Sequence, residues 1–305
     1  MRLDEDRLAL AELIQETGDH YHILYEYVEK DYWLVLLLKQ IMNKDSEYVF
    51  KGGTSLSKCY RLINRFSEDI DISYSSPYNA ISISKRENKF RGIYDSILEV
   101  GLSIENQSSL RRRRYFNQFI CPYPTLLNGG VVDNNIIIEL AAQTPSFPSS
   151  KQKIQSFIGE YLSSIGHNDI VEQYELEPFY VNTQSLERTI VDKTFAMCDY
   201  YLSNKVRKHS RHIYDIHKIL PNISLDESLA KLFTEVRKYR EKISICYSAK
   251  DGVKLFNVLG KIVKDNVFED DYNKSTLLLL YDSISYKDCL NSLNQLYLFL
   301  KENNL

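Results

Sequence analysis

Between Tyr48 and Tyr74 the hydrophobic periodicity changes twice, and this constrains the fold more than any other part of the chain. The apolar stretch YVFK runs into the double glycine Gly52-Gly53, and TSLSKCYRLI then reads as a helix starting from a Thr or Ser cap. FSEDIDISY follows, alternating apolar and acidic residues with the period of two of a strand. On a strand, residues i and i+2 face the same way about 6.6 Å apart along the chain. Asp69 and Asp71 therefore share one face of a sheet, while Ile70 and Ile72 point into a core.

The rest of the chain builds around this unit. The periodicity predicts two front helices, Asp4 to Glu16 and Tyr25 to Met42, the second dense enough in apolar residues to pack on the sheet. A helix is expected over Lys85 to Val100. Two strands follow, LRRRRYFNQFICPY and NNIIIELAAQ, which form an antiparallel pair around a turn at Gly129-Gly130. The Pro- and Ser-rich segment from Thr144 to Lys153 reads as a linker. Beyond it the signals are helical, near Ile154 to Ser164, Leu186 to Leu202, Arg211 to Leu220, Leu225 to Ile243, Asp251 to Lys264 and Tyr286 to Lys301, with lengths that suit a bundle. The expected organisation is α+β, with a sheet domain over 1–145 and a helical domain over 146–305.

Composition narrows the class. The apolar and charged content is that of an ordinary folded chain, and no apolar run approaches the roughly 20 residues that span a bilayer. The start mixes acids and bases as no secretory leader does, so a cytoplasmic protein without membrane contact is expected. Cys59, Cys121, Cys198, Cys246 and Cys289 are scattered without a CxxC pair and read as reduced thiols. A net charge of −3 argues against a protein that coats nucleic acid by charge alone. Two local basic clusters, Arg111 to Arg114 and the Lys205, Arg207, Lys208, Arg211 group, are either solvated surface or an RNA or phosphate groove.

The acids and the glycine turn carry the chemistry. Magnesium prefers a few carboxylates supplemented by phosphate oxygens and water, and Asp69 and Asp71 supply two from one strand face. A glycine turn entering a helix suits phosphate, and a third acid, Glu139, lies in the apolar IIIEL strand, where an unpaired charge is expensive. No GxSxG or HExxH motif supports a hydrolase, and the spacing around Lys51-Gly52-Gly53-Thr54 is not that of a P-loop.

Strand, Gly-Gly turn, helix, DxD strand and later acidic strand, in this order, resemble the polymerase β-like nucleotidyltransferase superfamily. VEKDYW, FKGGTSLSK, RFSEDIDIS, ERTIVDK and RHIYDIHKIL resemble more narrowly the AbiEii/AbiGii toxin family, over Val28 to Leu220. The resemblance implies that Lys51, Gly52, Gly53 and Thr54 form a phosphate turn, that Ser67 touches the triphosphate, and that Asp69 and Asp71 bind metal. It also implies that Lys193 and Asp215 are active-site residues from the helical half, with Lys193 neutralising charge on the triphosphate. Asp215 would orient Lys193 or act as a base toward the acceptor. Arg188 reads as orienting or structural, Arg211 or His212 could pair with Asp215, and His212 reads as a packing residue. The third acid, Glu139, matches less closely.

The expected activity is transfer of a nucleoside monophosphate from an NTP, with Mg2+ or Mn2+, to an acceptor hydroxyl in a cleft between the two domains. The resemblance implies the toxin of a toxin–antitoxin, phage-defence pair, with tRNA or another RNA as acceptor and a cognate antitoxin as partner. The alternatives are transfer to a protein or small molecule, or a nucleotide-sensing, antitoxin-binding module without turnover.

Overall fold

The computed structural model describes residues 1–65, 67–112, 114–127 and 132–305. The chain divides into two compact units. The first holds Met1–Cys59, Glu68–Pro145 and Ser149–Thr183, the second Tyr60–Ser67, Ser146–Pro148 and Gln184–Leu305.

The strands are β1 (Tyr48–Lys51), β2 (Asp69–Tyr74), β3 (Phe116–Pro122), β4 (Asn135–Ala141), β5 (Ser149–Ile154) and β6 (Phe179–Gln184), and they form one sheet in the order β3-β4-β2-β1-β6-β5. β1 runs antiparallel to β2 and parallel to β6, β2 runs parallel to β4, and β3 runs antiparallel to β4. The period of two sorts the strands' residues cleanly. Phe50, Ile70, Ile72, Ile138 and Phe119 are buried on one face. They join a core with Leu34, Leu37, Leu38 and Ile41 of α2 (Tyr25–Lys44) and with Phe90 and Ile93 of α4 (Ile83–Glu99). The first unit also contains α1 (Arg7–Tyr21), α3 (Gly52–Lys58), α5 (Phe157–Ser164) and α6 (Asn168–Gln173).

The expected linker between Thr144 and Lys153 needs correction, because Ser149–Ile154 is strand β5 at the edge of the sheet. Its sequence, SSKQKI, has no alternating apolar face to announce a strand, and such polar edges guard against unwanted pairing. β6 (FYVNTQ) was equally hidden behind the helical signals around it. Because both strands belong to this sheet, the first unit runs on to Thr183, past the boundary expected at 145. The turn expected at Gly129-Gly130 lies outside the described residues.

The second unit is helical: α7 (Leu186–Leu202), α8 (Arg211–Ile219), α9 (Glu227–Arg240), α10 (Leu255–Lys264), the short α11 (Glu269–Asp271) and α12 (Tyr286–Glu302). Ser185 caps α7 by accepting the Arg188 amide, Asp226 caps α9, and Ser285 with Asp288 forms a capping box on α12. Ile190, Val191, Phe195, Met197 and Cys198 are all fully buried around α7, making it the unit's central helix. All five cysteines are free, and among the described residues no helix is long and apolar enough to cross a membrane.

Candidate active site

Register aligns four polar side chains across four strands of the sheet face opposite the core. Lys51 of β1 stands opposite Asp71 of β2, Asp71 is beside Glu139 of β4, and Glu139 is opposite Gln118 of β3. Neighbouring strands lie about 4.7–4.9 Å apart, so the two carboxylates, side by side in register, meet at close range. Asp69 shares their face two residues earlier, beside Ile137. Burial and the nearby Asp71 carboxylate push Glu139 above the ordinary carboxylate range, against the opposing effects of a hydrogen bond from Gln118 and the charge of Lys51. Glu139 is thus an interior-strand acid in an acid pair.

The glycine turn abuts this pair. Gly52 has φ +79°, in the left-handed region, and a Cβ built on it would stand 1.8 Å from Oδ2 of Asp71. Lys51, Gly52 and Gly53 remain partly open to solvent, whereas Thr54 and Ser55 are buried at the start of α3. No side chain of the residue preceding α3 caps its first amides.

The VEKDYW segment explains how these pieces are held. Three consecutive charged residues of α2, Glu29, Lys30 and Asp31, are buried and each tethers another part of the unit. Glu29 accepts the Leu126 amide and the Thr125 hydroxyl, both at 2.6 Å. Lys30 pairs with Glu68, the residue before Asp69, and donates to the Asp133 carbonyl at 2.8 Å. Asp31 pairs with Lys58, the last residue of α3, at 2.7 Å and accepts the Phe157 amide at 2.6 Å. Both the helix behind the glycine turn and the entry to the acidic strand are therefore anchored on α2. Sequence reading assigned these residues no role; the signal was three charges inside an otherwise apolar helix.

In the second unit Asp215 of α8 is fully buried between two cations. Arg65 grips it through Nε and Nη2 at 2.8 and 2.9 Å, and Lys193 of α7 donates to Oδ2 at 2.6 Å. Burial alone would raise the Asp215 pKa, but the two cations hold the carboxyl well below its usual range. Burial lowers the Lys193 ammonium, with Asp215 acting against it. Asp215 is thus a buried anion shared by two cations, and its hydrogen bond to Nζ fixes the direction of the Lys193 side chain. Arg65 went unnoticed in sequence, although it stands in RFSED four residues before Asp69.

Lys193 is 7% exposed and ion-paired with Asp215. Asp215 is paired by Arg65 and Lys193, not by Arg211 or His212. His212 lies with its ring parallel to Tyr200 and His209, and burial drives its pKa far below the usual value, which fits a packing role. Arg188 is 1% exposed and binds Asp192 and the Phe147 carbonyl, a structural role. Ser67 belongs to the Tyr60–Ser67 segment of this unit, as do Lys193 and Asp215, while Lys51 to Thr54, Asp69, Asp71 and Glu139 belong to the first.

The donor chemistry fits a hard divalent cation, since an all-oxygen set of adjacent carboxylates is what magnesium and manganese select. Among the described residues no three His, Cys, Asp or Glu side chains converge into a ready-made cluster. The expected three-acid cage of Asp69, Asp71 and Glu139 is therefore not preformed. Register closes the distance between Asp71 and Glu139 only, so substrate phosphate and water would have to complete such a site.

A family model described as "Nucleotidyl transferase AbiEii toxin, Type IV TA system" matches residues 36–291. The match begins just after VEKDYW and extends through the C-terminal helices. A crystal structure from H. pylori, described as that of a candidate nucleotidyltransferase, is similar at 16% identity and a TM-score of 0.44, over 88% of this chain and 93% of that one. No curated protein matches the chain.

Proposed function

The chain belongs to the AbiEii family of nucleotidyltransferase toxins, and from that premise we propose that it transfers a nucleoside monophosphate from an NTP to a hydroxyl of RNA, in the cytoplasm, as the toxin of a phage-defence pair with a cognate antitoxin. The observation that carries the reading is the Asp71–Glu139 acid pair against the Gly52 turn. Lys51, Gly52 and Gly53, all partly open to solvent, would receive the triphosphate, and Asp69, Asp71 and Glu139 would hold Mg2+ or Mn2+. When bound, the cation would offset charge on the phosphates during transfer. In the second unit, Lys193, oriented by Asp215, would serve as the cation that stabilises the departing pyrophosphate.

RNA is favoured over a protein acceptor by the loop between α7 and α8. Lys205, Arg207, Lys208 and Arg211 are all exposed there, and no acid intervenes in the sequence. Asp271 fixes this loop by accepting the amides of Lys208 at 2.7 Å and Ser210 at 3.0 Å, so the cations are displayed on an ordered backbone. Incubation with each labelled NTP plus total RNA and total protein tests the reading. Label in RNA, lost with Asp69→Ala or Asp71→Ala, is expected. Label in protein alone would move the acceptor, and no transfer under any condition would leave a nucleotide-binding module.

A further inference from the structure

We propose that Gln118 is a positioning residue of the cation site: its side-chain amide fixes the Glu139 carboxylate beside Asp71 without neutralising it. The inference rests on the nucleotidyltransferase reading above and extends it to a residue outside the motifs. Gln118 is opposite Glu139 in the antiparallel β3–β4 register, and its Nε2 donates to Glu139 Oε1 at 3.0 Å. An ionised carboxylate has about four acceptor positions, so the bond from Gln118 to Oε1 still leaves positions for a cation. The neutral amide is decisive. A lysine or arginine at 118 would satisfy the acid with a competing positive charge, and an acid would repel it, whereas a glutamine orients it and leaves its charge available.

The strand that carries Gln118 is itself locked. Asn106 donates to the Gln118 carbonyl at 2.7 Å and accepts the Ile120 amide at 3.1 Å, while the Glu105 amide donates to the Ile120 carbonyl at 2.9 Å. These bonds occupy the outer edge of β3, so the strand cannot slip in register and take Gln118 away from Glu139. Residues that orient metal ligands in this way typically account for about 10–100-fold in metal affinity.

The test is Mn2+ binding by calorimetry, with and without NTP, on the full chain. Gln118→Met keeps length and removes the donor. Affinity is expected to fall roughly 10-fold with an unchanged thermal melt, and the turnover lost at low Mn2+ should return at high Mn2+. Gln118→Lys should bind more weakly still, because its ammonium competes for Glu139. Unchanged Mn2+ affinity in Gln118→Met would overturn the proposal, as would a turnover defect that added Mn2+ does not repair. Asp71→Asn separates this from failure of the underlying reading: if it binds Mn2+ like the natural protein, the acid pair is not the cation site and the assignment of Gln118 falls with it.

Discussion

Oδ2 of Asp71 occupies the space that a side chain on residue 52 would need, 1.8 Å from the position of a Cβ. Glycine at 52 is thus required twice, by this contact and by φ +79°, which residues with a Cβ adopt at a cost. Gly52→Ala must displace the carboxylate, the turn or both. The expected outcome is a stability loss of about 1–3 kcal/mol in denaturant melts and near-complete loss of nucleotidyl transfer. Wild-type turnover in this variant would show that the geometry of the turn is irrelevant to the chemistry.

The Arg65–Asp215–Lys193 cluster yields an ordering of stabilities. Asp215→Asn leaves two buried cations without their counter-charge, and breaking such a pair costs about 3–5 kcal/mol. Lys193→Ala leaves Asp215 still gripped by Arg65 and should cost less, yet it should abolish most transfer. Denaturant melts together with turnover on folded protein check both. The depressed pKa of Asp215 gives a pH signature: its stabilisation is present above the unfolded value near 3.8 and is lost as pH falls through the lower folded value. Wild-type protein should lose this contribution below about pH 3.8, while Asp215→Asn, measured from its own lower starting point, should lack it.

Glu139 runs the other way. Burial and the neighbouring Asp71 carboxylate raise its folded pKa above the ordinary glutamate value. Its favourable contribution is therefore present below the unfolded pKa and is lost as pH rises through the folded one. At pH 7–8, well above its unfolded value, the burial of Glu139 beside Asp71 weighs against the metal-free fold, so Glu139→Gln should raise the melting temperature by roughly 1–3 °C. The same variant should bind Mn2+ more weakly. A lower melting temperature would contradict the repulsion between Glu139 and Asp71.

How far the sequence could reveal this arrangement depended on whether a signal was local. The alternation around Asp69-Ile70-Asp71, the Gly52 turn and the apolar strand around Glu139 each state their own structure within a few residues. Glu139 was legible as a third acid on an apolar strand, but only register shows that it stands beside Asp71. What stayed hidden was non-local or polar. β5 has no apolar alternation, Gln118 is an unremarkable residue until register sets it opposite Glu139, and Arg65 meets Asp215 across 150 positions. The burial of Lys193 was also hidden, because nothing nearby in sequence shows that α7 is buried on nearly every side. The family strings VEKDYW and RHIYDIHKIL pointed to the right places without disclosing that their charges act by tethering.

The α7–α8 loop makes the choice of acceptor testable without reference to turnover. Lys205, Arg207 and Lys208 are exposed and, among the described residues, none of their side chains takes part in an ion pair, so they contribute little to the fold. Lys205→Ala/Arg207→Ala/Lys208→Ala should accordingly melt like the natural protein, since Asp271 holds this loop through the backbone amides of Lys208 and Ser210. If an RNA backbone lies on these cations, each phosphate contact releases counterions, and log affinity falls with log salt by about 0.7 per contact on a single strand. Fluorescence anisotropy with a labelled single-stranded RNA of mixed sequence should therefore show weaker binding in the triple variant. Its salt slope should be shallower by about 2, from three contacts at that value. NTP affinity should stay unchanged, because none of the three cations is among the residues assigned to the triphosphate. Equal RNA affinity and equal salt slope in the two proteins would remove this loop from acceptor binding and, with it, the structural argument that favours RNA over protein.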